Sequence, residues 1–478
     1  MENIQRHKTA IGRATLSRPM QLALASGLID QPAKILDYGC GRGDDVRTLR
    51  TLGFDCEGWD PAHRPNGNRR SSEIVNLGYV VNVIEDRNER IDTLRAAWDL
   101  TERVLVVAAR VDFQEGNEQF EDCGDGVLTG RGTFQKFYIQ SELRDWIDET
   151  LSVLCVAAGP GIFFAFREEE DRQRFSSSLF RRRLSAPIGR ISDSLFEENR
   201  ELLQPLITFY EARGRVPQPE ELPEAQPIIE VFGSIVRAFR VVRNATGENI
   251  WNEIEDQRHD DLLVYLALQR FRKRPPFSAL PFELRHDVKS FWGNYTAACA
   301  QADELLFSVG NLELVSKSCT VGEHGKLTPE ALYIHANALD RLPPLLRIFE
   351  GCARGVIGEV EGSNIIKLDR QRAKISYLSY PEFDEVAHPT LAFSVVVWLD
   401  TMIAKYYDFS RRENPPILHR KETFVPSDYP NREKFERLTR QEEKRGLLNR
   451  ETIGTLRGWE ALLSDEGFKV AGHVLRKA

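Results

Sequence analysis

The sequence has no run approaching the roughly twenty apolar residues that a membrane-crossing helix needs, which excludes a helical membrane span. Its seven cysteines (Cys40, Cys56, Cys123, Cys155, Cys299, Cys319, Cys352) form no CxxC pair and have no histidine cluster beside them. That spacing suits neither a zinc site nor a disulfide framework, so no metal is expected and the thiols are expected to be reduced, as in a cytoplasm. The opening stretch MENIQRHKTAIGRATLSRP is polar and basic without an apolar core, which is not the pattern of a secretory signal. An excess of positive charge is also missing. Lys and Arg number 64 against 72 Asp and Glu, for a net charge of −8. Bulk charge therefore does not draw this chain onto nucleic acid, although a local basic groove needs only a patch. There is no internal repeat, no low-complexity tract and no P-loop.

What is present is a globular composition, 41% hydrophobic and 28% charged, over 478 residues, enough for two or three domains. Residues 1–168 alternate strand-like and helix-like segments, the pattern of an α/β sheet. They close on SVLCVAAGPGIFFAFRE, two strands joined by Gly159-Pro160-Gly161, which fits an antiparallel hairpin ending a parallel sheet. Residues 169–310 are mostly amphipathic helix. Residues 311–478 mix the two types and make a third, α+β domain. Within it ALYIHANALDRLPPLLRIFEGCARGV and PTLAFSVVVWLDTMIAKYYDF are expected as helix, NIIKLDRQRAKISYLSYPEF as strands, and the tail as solvated helix.

The chemistry concentrates in AKILDYGCGRGDDVRTLRTLGFDCEGWDPA, residues 33–62. A short apolar strand ends in Asp37, Gly39, Gly41 and Gly43 follow, a helix begins, and the next strand closes on Asp60. Glycines at a strand-to-helix turn let the backbone approach a ligand that the helix N-terminus faces, and the second acid is placed to hold ribose hydroxyls. Two cofactor classes use this arrangement, the dinucleotides and S-adenosylmethionine. The dinucleotide fingerprint GxGxxG fails at Asp44, where packing wants a small residue. A carboxylate at Asp37 repels a pyrophosphate and attracts a cation. LDYGCGRGDD is similar to the first motif of class I methyltransferases, and GWDP resembles their second acidic position. The resemblance implies S-adenosyl-L-methionine as cofactor, a Rossmann-like fold, and contacts from Asp37, Tyr38, Gly39, Gly41, Asp60 and Pro61. Only PAHRPNGNRRSSE separates Asp60 from the next strand, so the third strand of that fold is either absent or reduced to a loop.

For the methyl acceptor, NLGY (Asn76–Tyr79) stands where methyltransferases of exocyclic amines carry [DNS]PP[YFW]; it keeps the Asn and Tyr and lacks both prolines. On that resemblance Asn76 accepts an amine hydrogen and also borders the cofactor, and Tyr79 stacks on a flipped base. A strand-end turn with a packed tyrosine is the alternative. Glu85 stands at the same edge, where it orients substrate or is simply solvated. DGVLTGRGTFQKFYIQSEL offers Thr133, Gln135 and Lys136 as a lid, or as a connector whose aromatics pack down. The N-terminal His7, Lys8 and Arg18 grip phosphate, or belong to a frayed end.

Farther along, YEARGRVPQPEELPEAQPIIEVFGSIVRAFRVV looks like the helix-turn-helix repeats beside homing nucleases, which puts Arg237 and Arg240 on a DNA-facing helix; a plain helical bundle is the alternative. Basic residues recur at His419, Arg420 and Lys421 in NPPILHRKE. Together RHKTAI…LSRP, LDYGCGRGDD, VNLGYVVNVIED, RGTFQKFYIQSEL and NPPILHRKE resemble the DNA phosphorothioation-associated methyltransferase family along nearly the whole chain. The resemblance implies a bacterial DNA-modification or phage-defence setting, methyl transfer to a base, and nucleic acid, DNA before RNA, as partner, with other proteins of such a system and no membrane. A nucleic-acid-binding module that senses the cofactor without methyl transfer, an RNA methyltransferase and a small-molecule methyltransferase stay open as alternatives.

Overall fold

The structure, a computed structural model, describes residues 6–10, 12–13, 15–30, 32–111, 121–130, 132–181, 194–322 and 324–478. The chain divides into two compact units, one of residues 1–168, 315–341 and 349–478 and one of residues 169–314 and 342–348.

The first unit opens with α1 (Arg18–Ala25), β1 (Lys34–Tyr38), α2 (Asp44–Thr51), β2 (Asp55–Trp59), β3 (Ser72–Gly78), α3 (Arg87–Asp99) and β4 (Thr101–Ala108). A small antiparallel sheet follows, β5 (Glu121–Cys123), β6 (Gly126–Leu128) and β7 (Phe134–Gln135), then α4 (Gln140–Leu151), β8 (Val156–Gly159) and β9 (Ile162–Phe166). The main sheet runs β2-β1-β3-β4-β9-β8. Its first four strands are parallel, and β9 pairs antiparallel with both β4 and β8. This is the Rossmann-like layout with the expected terminal hairpin. β4 carries Val104, Leu105, Val106 and Val107, all fully buried, because helices cover both faces of a parallel sheet. β2 is an edge. Residues 60–71 hold turns and an isolated bridge from Asp60 to Arg64, so the open question of the third strand resolves as an absent strand.

The second unit is helical: α5 (Glu169–Ser178), α6 (Ser194–Glu198), α7 (Arg200–Arg213), α8 (Ala225–Phe232), α9 (Ile235–Thr246), α10 (Glu248–Leu268), α11 (Phe282–Trp292) and α12 (Tyr295–Ser308). Gly233 ends α8 in the left-handed region, and the Ser234 hydroxyl accepts the Arg237 N–H to start α9. Tyr210 stacks on Phe239 at 4.0 Å, and Trp251 meets both rings edge-on.

The chain then passes through α13 (Leu312–Ser318) and α14 (Pro344–Ile357) and completes the first unit with a six-stranded antiparallel sheet in sequential order. Its strands are β10 (Lys326–Leu327), β11 (Ala331–His335), β12 (Ile365–Asp369), β13 (Lys374–Ser379), β14 (Phe393–Trp398) and β15 (Ile403–Asp408). Two expectations change here. Residues 331–335 are strand where helix was expected, and 393–408 are a hairpin, because Phe393, Val395, Val396, Val397 and Trp398 find cross-strand partners that outweigh any helical spacing. The tail after α15 (Arg432–Lys444) and α16 (Leu456–Asp465) is the hairpin β16 (Phe468–Ala471) and β17 (Val474–Lys477) rather than helix. Among the described residues no helix is long and apolar enough to cross a membrane.

Candidate cofactor site and the edge beside it

The chain leaves β1 toward β2 on one side and returns to β3 on the other, so the strand order reverses between β1 and β3. A crevice opens at such a switch point, outside the carboxyl ends of the strands. Gly39, Gly41 and Gly43 lie there with φ of 85°, 50° and 75°, a region costly for any side chain with a Cβ. A Cβ at Gly39 would come within 2.4 Å of Val80. The turn is fastened to β2: Gly39 and Cys40 donate to the Trp59 carbonyl at 2.7 and 3.0 Å. The Gly41 N–H donates to Asp60 Oδ2 at 3.0 Å, and Ala62 and His63 donate to Oδ1 at 2.9 and 2.8 Å. Oδ1 is filled by its two backbone donors, whereas Oδ2 keeps a further lone pair for a hydroxyl donor. Pro61 is exposed in the turn that Asp60 begins.

Asp37 is 5% exposed and pairs across the strands with Asn76, whose Nδ2 donates to Asp37 Oδ1 at 2.8 Å. Burial, and next the Asp45 carboxylate, push Asp37 up to about 7. Asn76 Oδ1 is buried with no hydrogen-bond partner. Two buried, electron-rich oxygens beside a glycine turn suit a cationic donor such as an ammonium. Asp44 and Asp45 occupy the first turn of α2, where a dinucleotide would set its phosphates, and repel any such group. The residues fit S-adenosylmethionine and oppose a pyrophosphate.

The N-terminal segment lies over this turn. Arg13 and Ser17 donate backbone N–H groups to Asp44 and Asp45, both at 2.7 Å, and the Ala10 Cβ sits 3.1 Å from where a Gly41 Cβ would be. Arg6 binds Glu85 at 2.8 Å and Glu89 at 2.7 Å. The Arg6 hydrogen bond holds Glu85 below its ordinary carboxylate range, so Glu85 anchors this strap. His7 is in the turn Arg6–Thr9, Lys8 is exposed, and Arg18 pairs with Glu361 at 2.8 Å.

Tyr79, immediately past β3, holds a φ of 61°, rare for a residue with a Cβ, while its N–H donates to the Ala108 carbonyl at 2.7 Å. Its ring is half-buried, with the Arg13 guanidinium 5.7 Å from its centre. Burial raises its hydroxyl pKa above the ordinary value, opposed by the charges of Arg13, Arg110 and Arg18. The edge that follows the glycine crevice is thus aromatic and locally basic in an acidic chain. The sequence reading passed over Arg110, whose neighbours in sequence carry no charge pattern.

Other expected residues are engaged internally. Tyr38 packs on Trp59, centroids 4.8 Å apart, in the core, so its side chain is structural. Thr133 bonds Thr129, Gln135 donates to the Asn82 carbonyl at 3.3 Å, and Lys136 pairs with Glu142 at 2.8 Å and Asp125 at 3.4 Å. All three are buried, which corrects the lid reading: this segment ties α3, the small sheet and α4 together through the Arg90–Asp125 pair. Arg237 and Arg240 are exposed on α9 of the second unit. His419 bonds the Ile453 carbonyl at 2.7 Å, and Arg420 pairs with Glu443. Lys421 is 2% exposed and donates to the Phe383 and Val386 carbonyls at 2.5 and 2.6 Å, so it cannot reach a phosphate. A run of basic letters concealed a buried ammonium.

Residues 11–121 match the methyltransferase domain family. No curated protein matches the chain. Three solved structures are similar over about a third of it. The first is the 1,6-didemethyltoxoflavin-N1-methyltransferase of Burkholderia thailandensis, with 1,6-didemethyltoxoflavin and S-adenosylhomocysteine bound (14% identity, 34% of this chain, 77% of that one, TM-score 0.23). An amino pentose methyltransferase from Micromonospora echinaspora holds S-adenosylmethionine (18%, 35%, 99%, 0.25). The magnesium protoporphyrin IX methyltransferase of Synechocystis PCC 6803 holds S-adenosylhomocysteine (10%, 34%, 93%, 0.22). A class I methyltransferase domain, whose cofactor is S-adenosyl-L-methionine, is present over residues 11–121, the segment that holds the glycine turn and both acids.

Proposed function

We propose that this protein transfers a methyl group from S-adenosylmethionine to a base of nucleic acid, DNA in the first instance, in a bacterial DNA-modification or phage-defence setting. The observation that carries the proposal is Tyr79, fixed in a left-handed conformation at the end of β3 with Arg13, Arg110 and Arg18 as its cationic neighbours against the one carboxylate of Glu361. Bound in the crevice, S-adenosylmethionine supplies an electrophilic methyl on a cationic sulfonium. Asp37 and Asn76 Oδ1 hold the ammonium, and Asp60 takes the ribose hydroxyls. Tyr79 offers a face to an extruded base, and stacking offsets part of the few kcal/mol lost on unstacking it. Arg13 and Arg110 are exposed and suited to the flanking phosphates. The setting rests on the family resemblance of the sequence.

One observation favours a second reading. The Asn76 amide is committed to Asp37, and Leu77-Gly78 lacks the stiffness of two prolines, which suits a nucleic-acid-binding module that senses the cofactor without transferring its methyl. Mass spectrometry of nucleosides after incubation of the protein and labelled cofactor with DNA and with RNA separates the two. Label in a DNA base that is lost in Tyr79→Ala, with cofactor binding retained, supports transfer. Label on a sugar, in RNA alone or nowhere refutes it.

A further inference from the structure

Among the described residues outside the crevice, one cluster of side chains has the composition of a metal site. His388 lies in the loop between β13 and β14, His419 in the loop after β15, and Glu442 on α15. One potential donor atom from each lies within 4.8 Å of the others. The imidazoles are tilted 50° to one another with centroids 4.5 Å apart, and the Trp459 ring packs beside both, 4.8 Å from His388 and edge-on at 4.7 Å from His419.

Two further observations point to a ligand. His419 Nε2 lies 2.7 Å from the Ile453 carbonyl and must carry the hydrogen to bond it. The lone pair is then left on Nδ1, which is buried with no partner. A ring nitrogen bonded to a carbonyl, with the other presented as an electron pair, is how proteins orient a metal-ligating histidine. Glu442 is 1% exposed, and its Oε1, 2.9 Å from His388 Nε2, makes no well-formed hydrogen bond. A buried carboxylate oxygen without a well-formed hydrogen bond is left to be satisfied by a ligand.

We infer that His388, His419 and Glu442 bind one zinc ion that fastens the β13–β14 loop and the loop after β15 to α15. Two imidazoles and one carboxylate suit zinc and do not suit magnesium or calcium, which take oxygen ligands. The same set serves iron(II) where several positions stay open; the Trp459 ring closes this one on the side it covers. Zinc–donor distances of about 2.0–2.2 Å place tetrahedral donors roughly 3.4 Å apart, between the 2.9 Å of His388 Nε2 to Glu442 Oε1 and the 4.8 Å within which all three donors lie, so binding needs side-chain shifts of about an ångström. The three residues stand far apart in sequence, which is why no ligand spacing announces them.

Elemental analysis of the full-length protein, purified without a metal-affinity step and dialysed, reads the proposal. About one zinc per chain is expected, with at least a tenfold loss of bound zinc in His419→Ala and in Glu442→Gln. As a control against unfolding of those variants, the wild-type protein is also stripped with chelator and titrated with cobalt(II), whose visible spectrum reports tetrahedral coordination without any substitution. A tetrahedral cobalt spectrum abolished by zinc supports the site. Iron in place of zinc, no metal, or cobalt that keeps its hydrated spectrum overturns it.

Discussion

Replacing Asp37 by Asn should make the ligand-free protein more stable above neutral pH while weakening its hold on the cofactor. The amide is nearly isosteric and its oxygen still accepts from Asn76 Nδ2, so the packing of β1 against β3 is preserved. What changes is the charge. Burial raises Asp37 from 3.8 to about 7, so the folded protein keeps a proton that the unfolded chain gives up. The stability this carboxyl contributes is complete below its unfolded pKa and is lost as pH rises through about 7. Some three pH units at about 1.4 kcal/mol each set a ceiling of about 4 kcal/mol, of which about 2 kcal/mol falls between about pH 5.5 and 8.5. Urea unfolding of both proteins across that range is the assay. The wild type should lose about 2 kcal/mol relative to Asp37→Asn, and a cationic ligand should reverse the trend by ionising Asp37, releasing a proton that calorimetry in buffers of different ionisation enthalpy detects. Parallel pH profiles for the two proteins would refute the assignment of a buried, protonated acid to this position.

Three further outcomes are expected. Gly39→Ala forces a Cβ against Val80 at a φ of 85°, and should abolish cofactor binding or lower the melting temperature by several degrees, read by differential scanning fluorimetry. Arg215 sits between Glu221 and Asp287, each 2.6 Å away and all three side chains covered, so Arg215→Met strands Glu221, leaves Asp287 with Arg213 alone, and should cost about 3–5 kcal/mol in urea unfolding of the second unit. The double substitution of Arg13 and Arg110 by Ser should reduce the slope of log affinity for DNA against log salt by about two in gel shifts; an unchanged slope removes both from the phosphate contacts.

The glycine turn and its two acids were legible because their geometry is local: a run of left-handed residues strongly favours glycine, and the acids fall at the ends of adjacent strands. The β14–β15 hairpin was not, because its turn uses Asp400, Thr401 and a left-handed Met402 in place of the Asn-Gly or Asp-Gly that announces a hairpin. Lys421 and Lys136 misled for a related reason. Letters record charge and not burial, and both ammonium groups are satisfied by partners that only the folded protein brings to them. His388 and Glu442 attracted no notice, since only the folded loops bring them to His419. The role of Asn76 was half visible: its position at the strand end is sequential, whereas its bond to Asp37 depends on strand register.

The central claim, that the crevice between β1 and β3 takes S-adenosylmethionine, is tested most directly by titrating the purified protein calorimetrically with that compound and, separately, with NAD. The account predicts saturable one-to-one binding of S-adenosylmethionine, weakened at least tenfold in Asp60→Ala by loss of a charged acceptor for the ribose hydroxyls, and no binding of NAD against Asp44 and Asp45. Tight NAD binding, or S-adenosylmethionine affinity unchanged in Asp60→Ala, would contradict it.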